Sequence, residues 1–223
     1  MLRPIPCVGA ARQEMPAAMS RSAKLRELLD ATRVYAVTDV ALDEKRLLAV
    51  TRSLLEAGIR IVQYRDKERP DGSRVQLAGQ LVELVHAYDG LLLVNDRADV
   101  AVAAGADGAH LGQDDLPLDA ARSLLGPDLI LGASASYLEE IAPACAAGID
   151  YLGFGAVYPT ETKPDAEFAG LELFREACGA SRVPVVGIGG ITAERASSVI
   201  AAGAAGIAVV SALYRAPDPG AAA

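Results

Sequence analysis

The chain has 223 residues, 52% of them hydrophobic, and a formal net charge of −8, which is enough apolar material for one sizeable core. The acidic balance argues against a general nucleic-acid or membrane-surface binder, which relies on clustered basic charge, although it leaves room for a locally basic pocket. Three widely spaced cysteines, Cys7, Cys145 and Cys178, form no CxxC or Cys/His metal spacing and fit a reduced, cytoplasmic setting, and no apolar stretch approaches the ~18 residues of a membrane span.

Residues 1–24 show no clear periodicity, and their short apolar stretch is broken by proline, a poor fit to a secretory signal. They read as a disordered leader, with Met19 a candidate true start, ahead of a single catalytic domain over 25–223. From Thr32 a rhythm sets in. Apolar runs at 34–37, 59–62, 91–94, 108–111, 130–133, 151–154, 183–186 and 206–210 alternate with helix-like stretches at 42–57, 73–88, 97–105, 118–125, 137–147, 170–179 and 192–203. Near-continuous apolar runs are the pattern of strands covered on both faces. Gly58, Gly105, Gly148 and Gly203 follow helical stretches, as left-handed stops do. Eight such units predict a compact (β/α)₈ barrel of eight parallel strands. A doubly wound open sheet is the competing architecture, but Thr38-Asp39 follows the first run where a glycine-rich turn would be needed. The last helix has only Asp218-Pro219 to start it before Ala223, so it is expected to be a stub.

In such a barrel, function lies at the C-terminal ends of the strands. There the chain places Gln63-Tyr64-Arg65-Asp66-Lys67, Asn95-Asp96-Arg97, Gly112-Gln113-Asp114-Asp115, Ser134-Ala135-Ser136, Gly155 to Lys163, Gly187-Ile188-Gly189-Gly190 and Val210-Ser211. The segments before the strands are mostly small and uncharged. Asp96 and Asp115 would end neighbouring strands ~4.8 Å apart, close enough to share a hard cation such as Mg²⁺; capping the next helix is the plainer role for each, and Asp114 could replace Asp115. Arg65, Lys67 and Lys163 would converge on the same mouth as a diphosphate cradle, against the alternative of a surface pair between Asp66 and Arg65 or Lys67. Gly187, Gly189 and Gly190, before a helix beginning near Thr192, suit a phosphate site, with a tight turn as the alternative. His110 reads as a hydrogen-bonded barrel residue and His86 as a surface one. No Ser-His-Asp or Cys-His set is evident. Diphosphate displacement fits this inventory without a proton-transfer pair.

Q-x-R-x-K, NDR, HLGQDD, GAS, PTxTK and GIGGI follow one another in that order between Gln63 and Ile191. With them the chain, from about Tyr35 to Leu213, resembles the thiamine-phosphate synthase (thiamine-phosphate pyrophosphorylase) family. The resemblance implies a Mg²⁺-assisted transferase that joins 4-amino-2-methyl-5-(diphosphooxymethyl)pyrimidine to 4-methyl-5-(2-phosphoethyl)thiazole, giving thiamine phosphate and diphosphate. It implies that Gln63, Arg65, Lys67, Asn95, Ser134 and Lys163 hold the pyrimidine diphosphate and that Asp96 and Asp115 bind Mg²⁺. It places Thr160, Thr162, Gly190, Val210 and Ser211 at the thiazole phosphate, beside Gly189. Arg65, Lys67 and Lys163 would neutralise the leaving group. Small-molecule substrates are then expected, with no nucleic acid or membrane partner and with homo-oligomerisation left open. A related thiazole tautomerase is disfavoured, because resemblance to it implies a histidine where this chain has Ser136, and because PTETK is intact. A non-catalytic barrel that binds thiamine precursors is disfavoured by the full set of diphosphate and metal residues. Tyr64 stands where leucine is more usual, with a slightly reshaped pyrimidine pocket as the expectation.

Overall fold

The computed structural model describes residues 19–160 and 168–223. Its eight parallel strands close in sequence order into a barrel, β1 pairing with both β2 and β8. They are β1 (Val34–Val37), β2 (Ile61–Tyr64), β3 (Leu91–Asn95), β4 (Gly108–Leu111), β5 (Ile130–Ala135), β6 (Tyr151–Phe154), β7 (Val185–Ile188) and β8 (Gly206–Val209). The helices, in chain order, are α1 (Arg21–Thr32), α2 (Glu44–Glu56), α3 (Asp71–His86), α4 (Ala98–Ala104), α5 (Leu118–Leu125), α6 (Ile141–Ala146), α7 (Gly170–Ala180), α8 (Ala193–Ala201), α9 (Ser211–Tyr214) and α10 (Pro219–Ala222). The expected barrel is present, stub included: Asp218 caps α10 by accepting from Ala221 N at 3.1 Å. No helix among the described residues is long and apolar enough to cross a membrane.

Alternation along each strand separates two cores. Val62, Tyr64, Leu92, Val94, Ala109, Leu131, Leu152 and Phe154 pack outward under the helices. Tyr35, Val37, Ile61, Leu91, Leu93, Ile130, Tyr151 and Val186 fill the lumen. Both faces are therefore apolar, which is why the runs read as continuous. Leu25 and Leu29 of α1 join the luminal cluster and are almost fully buried, so α1 lies across the N-terminal end of the barrel. Gly206 opens β8 beneath it, where a Cβ would stand 2.9 Å from Leu29 Cδ2.

Several boundaries differ from the expected ones. Helix α1 starts inside the segment read as a leader, because the Ser20 hydroxyl accepts from Ala23 N at 3.2 Å and caps it; residues 1–18 lie outside the described residues. Strand β2 runs two residues later than expected. Ile59 N–H is spent on Leu54 O at 3.0 Å, closing the turn after α2, and so Gln63 and Tyr64 belong to the strand. Strand β7 is shifted similarly and takes in Gly187 and Ile188. The N-terminal rim also carries more charge than expected. Asp107 and Asp150 precede β4 and β6, and their carboxylates pin neighbouring strands by accepting from Leu92 N and Leu131 N, each at 2.9 Å.

Candidate active site

The barrel parity decides which residues at the C-terminal rim face the lumen. Gln63, Asn95, His110 and Ser134 share the strand parity of the luminal apolar residues. In the ladder Gln63 aligns with Leu93, Asn95 with His110, and Ser134 with Gly153. Three sequence-nominated residues, Gln63, Asn95 and Ser134, therefore ring the mouth.

The charged stretch after β2 divides its work. Asp66 is buried and folds the turn. Its carboxylate accepts from Tyr64 OH at 2.8 Å, from Glu68 N and Arg69 N at 3.0 Å each, and from the Arg69 guanidinium. Burial alone would raise its pKa, but these donors outweigh it and hold the carboxyl well below the usual range. The alternative of a surface pair between Asp66 and Arg65 or Lys67 does not form, because Arg69 supplies the cation. Tyr64 points outward to Asp66 rather than into the lumen, so the expectation that it reshapes a pyrimidine pocket is corrected by strand parity. Arg65 is set by a two-way clasp in which its N–H donates to the Thr38 hydroxyl at 2.8 Å and that hydroxyl donates to Arg65 O at 3.3 Å.

Lys67 reaches across to β3's end, its Nζ 3.3 Å from Asp96 Oδ2. Asp96 sits at φ 64°, the left-handed region, which aspartate tolerates better than most residues. Its N–H donates to His110 O at 2.8 Å, tying the loop after β3 to β4. Asp115 turns back over the loop after β4 and accepts from Gly112 N at 2.6 Å. Burial, the nearby Asp96 carboxylate and a mutual hydrogen bond push the Asp115 pKa up, against the Gly112 N–H and Lys67. The two acids thus lie together beside the Lys67 ammonium. The Lys67 side chain is 57% exposed, so its present ion pair is weak and easily exchanged. Among the described residues no cluster of three or more His, Cys, Asp or Glu could hold a metal. This all-oxygen carboxylate pair fits a hard divalent ion that keeps water and phosphate as its other ligands. Asp114 is exposed, and Arg97 turns away to Asp71 and Asp99, with contacts of 2.7 Å to each.

Across the mouth, Gly189 and Gly190 have φ of 97° and 60°. A Cβ there would lie 2.6 Å from Ala156 Cβ and 2.3 Å from Pro159 O. These glycines therefore answer a packing demand from the loop after β6, in addition to any anion. Arg195 holds the same junction, donating to Gly190 O at 2.7 Å while its guanidinium lies 4.8 Å from the Tyr158 ring centroid. Val210 and Ser211 lead into α9, whose Tyr214 hydroxyl is 3.0 Å from Thr51 Oγ1 in α2. Thr160 ends the described part of the loop after β6. Thr162 and Lys163 lie outside the described residues, so their expected place at the mouth is not seen.

Sequence reasoning passed over Thr38, Asp39, Tyr35, Tyr151, Tyr158, Arg195 and Arg215. Asp39 is buried at the end of β1 and paired with Arg215, whose hydrogen bond, partly opposed by burial, lowers its pKa. Tyr35 and Tyr151 were findable, since both occupy luminal positions where a hydroxyl needs a partner. His110 is a hydrogen-bonded barrel residue as expected, but its Nε2 lies 2.9 Å from Ser134 Oγ. A surface hollow of about 590 Å³ lies at the opposite rim, lined by Arg21, Lys24, His86, Asp89 and Asp107 among others. Its charges pair with one another, Arg21 and His86 both on Asp107 at 3.1 and 2.9 Å and Lys24 on Asp89.

The family model described as thiamine monophosphate synthase matches residues 34–213. The bifunctional thiamine biosynthesis protein ThiM/ThiE of Symbiobacterium thermophilum is 51% identical over 78% of this chain and 36% of its own length. Thiamine-phosphate synthases of Synechocystis and Thioalkalivibrio sulfidiphilus are each 46% identical, over 88% and 83% of this chain and 56% and 89% of their own lengths. The chain thus spans between about a third and three-fifths of the first curated relatives it matches. The solved thiamine phosphate pyrophosphorylase of Pyrococcus furiosus superposes with a TM-score of 0.80 at 39% identity, covering 89% of this chain and 93% of that one. With a closed barrel and a family model that matches residues 34–213, the chain belongs to the thiamine monophosphate synthase family.

Proposed function

We propose that this chain is a thiamine-phosphate synthase of the cytoplasm, condensing the pyrimidine diphosphate with the thiazole phosphate and releasing diphosphate. The observation that carries the reading is the meeting of Asp96, Asp115 and Lys67 at the rim where Gln63, Asn95 and Ser134 face inward. Asp96 and Asp115 would hold Mg²⁺, which would supply positive charge for the leaving diphosphate. Arg65, Lys67 and Lys163 add theirs through the donors that guanidinium and ammonium offer to phosphate oxygens. Gln63, Asn95 and Ser134 orient the pyrimidine, while Thr160, Thr162, Gly189, Gly190, Val210 and Ser211 hold the thiazole phosphate.

The bond from carbon to diphosphate oxygen breaks with its electron pair leaving on diphosphate. The electron-rich aminopyrimidine stabilises the positive carbon until the thiazole nitrogen lone pair forms the new C–N bond. That nitrogen has no proton to lose, so no general base is required. The residues' task is to neutralise, align and exclude water.

The test is diphosphate release with both substrates, with Mg²⁺ and with excess chelator. Thiamine phosphate formed only with the metal supports the reading. Binding of either substrate without diphosphate release, or proton exchange on the thiazole alone, overturns it.

A further inference from the structure

Gln63 and Ser134 are joined through the lumen by four hydrogen bonds. Gln63 Nε2 lies 2.6 Å from the Tyr35 hydroxyl, which lies 2.8 Å from that of Tyr151; His110 Nδ1 is 2.8 Å from Tyr151 OH, and His110 Nε2 is 2.9 Å from Ser134 Oγ. The chain connects β2, β1, β6, β4 and β5. Gly132 and Gly153 make room for it, since a Cβ at either would stand 2.3 Å from Tyr151 Cε1 or 3.0 Å from His110 Cε1. Tyr35 and Tyr151 are 1% exposed, so these groups depend on one another for hydrogen bonds.

The polarity of this chain follows from valence. An amide nitrogen can only donate. Tyr35 oxygen receives the Gln63 N–H, so the Tyr35 proton goes to Tyr151. The Tyr151 proton goes to Nδ1. A neutral imidazole that accepts at Nδ1 carries its proton on Nε2, which donates to Ser134 Oγ. The Ser134 proton is then left to point away from the chain, and Gln63 Oε1 is left as an acceptor at the other end. Turning the Gln63 amide over would reverse every link and make Ser134 an acceptor.

We propose that Gln63, Tyr35, Tyr151, His110 and Ser134 form a polarity relay that presents an acceptor at Gln63 and a donor at Ser134, with Tyr35, Tyr151 and His110 as positioning residues that never touch substrate. The proposal rests on the reading that Gln63 and Ser134 hold the pyrimidine. An aminopyrimidine offers the complementary pair, an amino group that donates and a ring nitrogen that accepts. A ring with that pattern reversed would leave polar groups unpaired at both ends, and unpaired buried groups reject strongly. The relay therefore makes selection between such rings a property of five residues.

Two arms test it. Nitrogen-15 NMR of the histidine-labelled full chain, with His86→Gln for assignment, should find His110 as the neutral Nε2–H tautomer; the Nδ1–H tautomer overturns the relay. In kinetics, Tyr35→Phe should raise KM for the pyrimidine about tenfold, the equivalent of one good hydrogen bond, and leave KM for the thiazole unchanged. In a Ser134→Ala background the same change should add less than about twofold. Additive effects, or equal rises in both KM values, overturn the relay. Tyr151→Phe repeats the kinetic arm should Tyr35→Phe fail to fold. An inactive wild-type chain would sink the proposed function, while the tautomer would still decide the relay.

Discussion

Gly132→Ala should be among the more damaging single-methyl additions in the barrel. The new Cβ would meet Tyr151 Cε1 at 2.3 Å, Tyr151 Cζ at 2.4 Å and His110 Nδ1 at 2.7 Å, all well inside the ~3.5–4 Å of ordinary contact. Neither ring can swing aside freely, because Tyr151 is held by Tyr35 and His110, and His110 by Ser134. Overpacking of this kind costs about 1–3 kcal/mol, and a broken buried hydrogen bond adds about 1 kcal/mol. The expected loss is about 2–4 kcal/mol, which for a chain of this size lowers Tm by roughly 4–16 °C. Gly153→Ala is the internal comparison, since its nearest contact is 3.0 Å from His110 Cε1; it should cost less. Urea unfolding followed by far-UV circular dichroism gives both values. A Gly132→Ala chain as stable as wild type, or more stable than Gly153→Ala, would refute the packing argument.

Gly79→Ala should do the opposite: it lies inside α3 with nothing within 4 Å of an added Cβ, and a gain of about 0.5–1 kcal/mol is expected in the same unfolding assay. Asp96→Asn should cut turnover at least ~100-fold with the circular dichroism spectrum intact, and near-normal rates would remove Asp96 from the proposed metal site. Asp96→Ala should act similarly but with an added fold penalty of about 1–2 kcal/mol from alanine at φ 64°. His110 sets an acid limit. Burial, partly offset by Asp96, depresses its pKa from 6.5 to about 4, so the unfolded chain binds the proton more tightly. Its contribution is whole above about pH 6.5 and is lost as pH falls towards 4, about 3 kcal/mol in all. The urea midpoint of wild type should fall across that window more steeply than that of His110→Gln, and parallel curves would contradict it.

The barrel was legible because its strands are apolar on both faces, so each run stood out from the amphipathic stretches between. Strand ends were less legible. The β2 and β7 shifts depend on which N–H the preceding turn consumes, and no run of residue types records that. Asp96 and Asp115 could be nominated from the ends of the runs, whereas the roles of Gln63, Asn95 and Ser134 came from the family resemblance. The partnership of Lys67 with Asp96 could not, because it crosses from one loop to the next. The partner of Asp66 was hidden for a similar reason: two cations adjoin it in sequence, yet Arg69, one turn further on, comes round to meet it. Tyr64 looked pocket-lining by position and is outward by parity. Helix α1 was passed over because its apolar positions, Leu25 and Leu29, serve an end of the barrel rather than the flank of a sheet.

Because Leu25 and Leu29 stopper that end, the described residues close the lumen there to reactants and solvent. On the proposed reaction, a short-lived carbocation held in the barrel mouth would need a cover on that side only. A through-channel would have demanded two, closing in step.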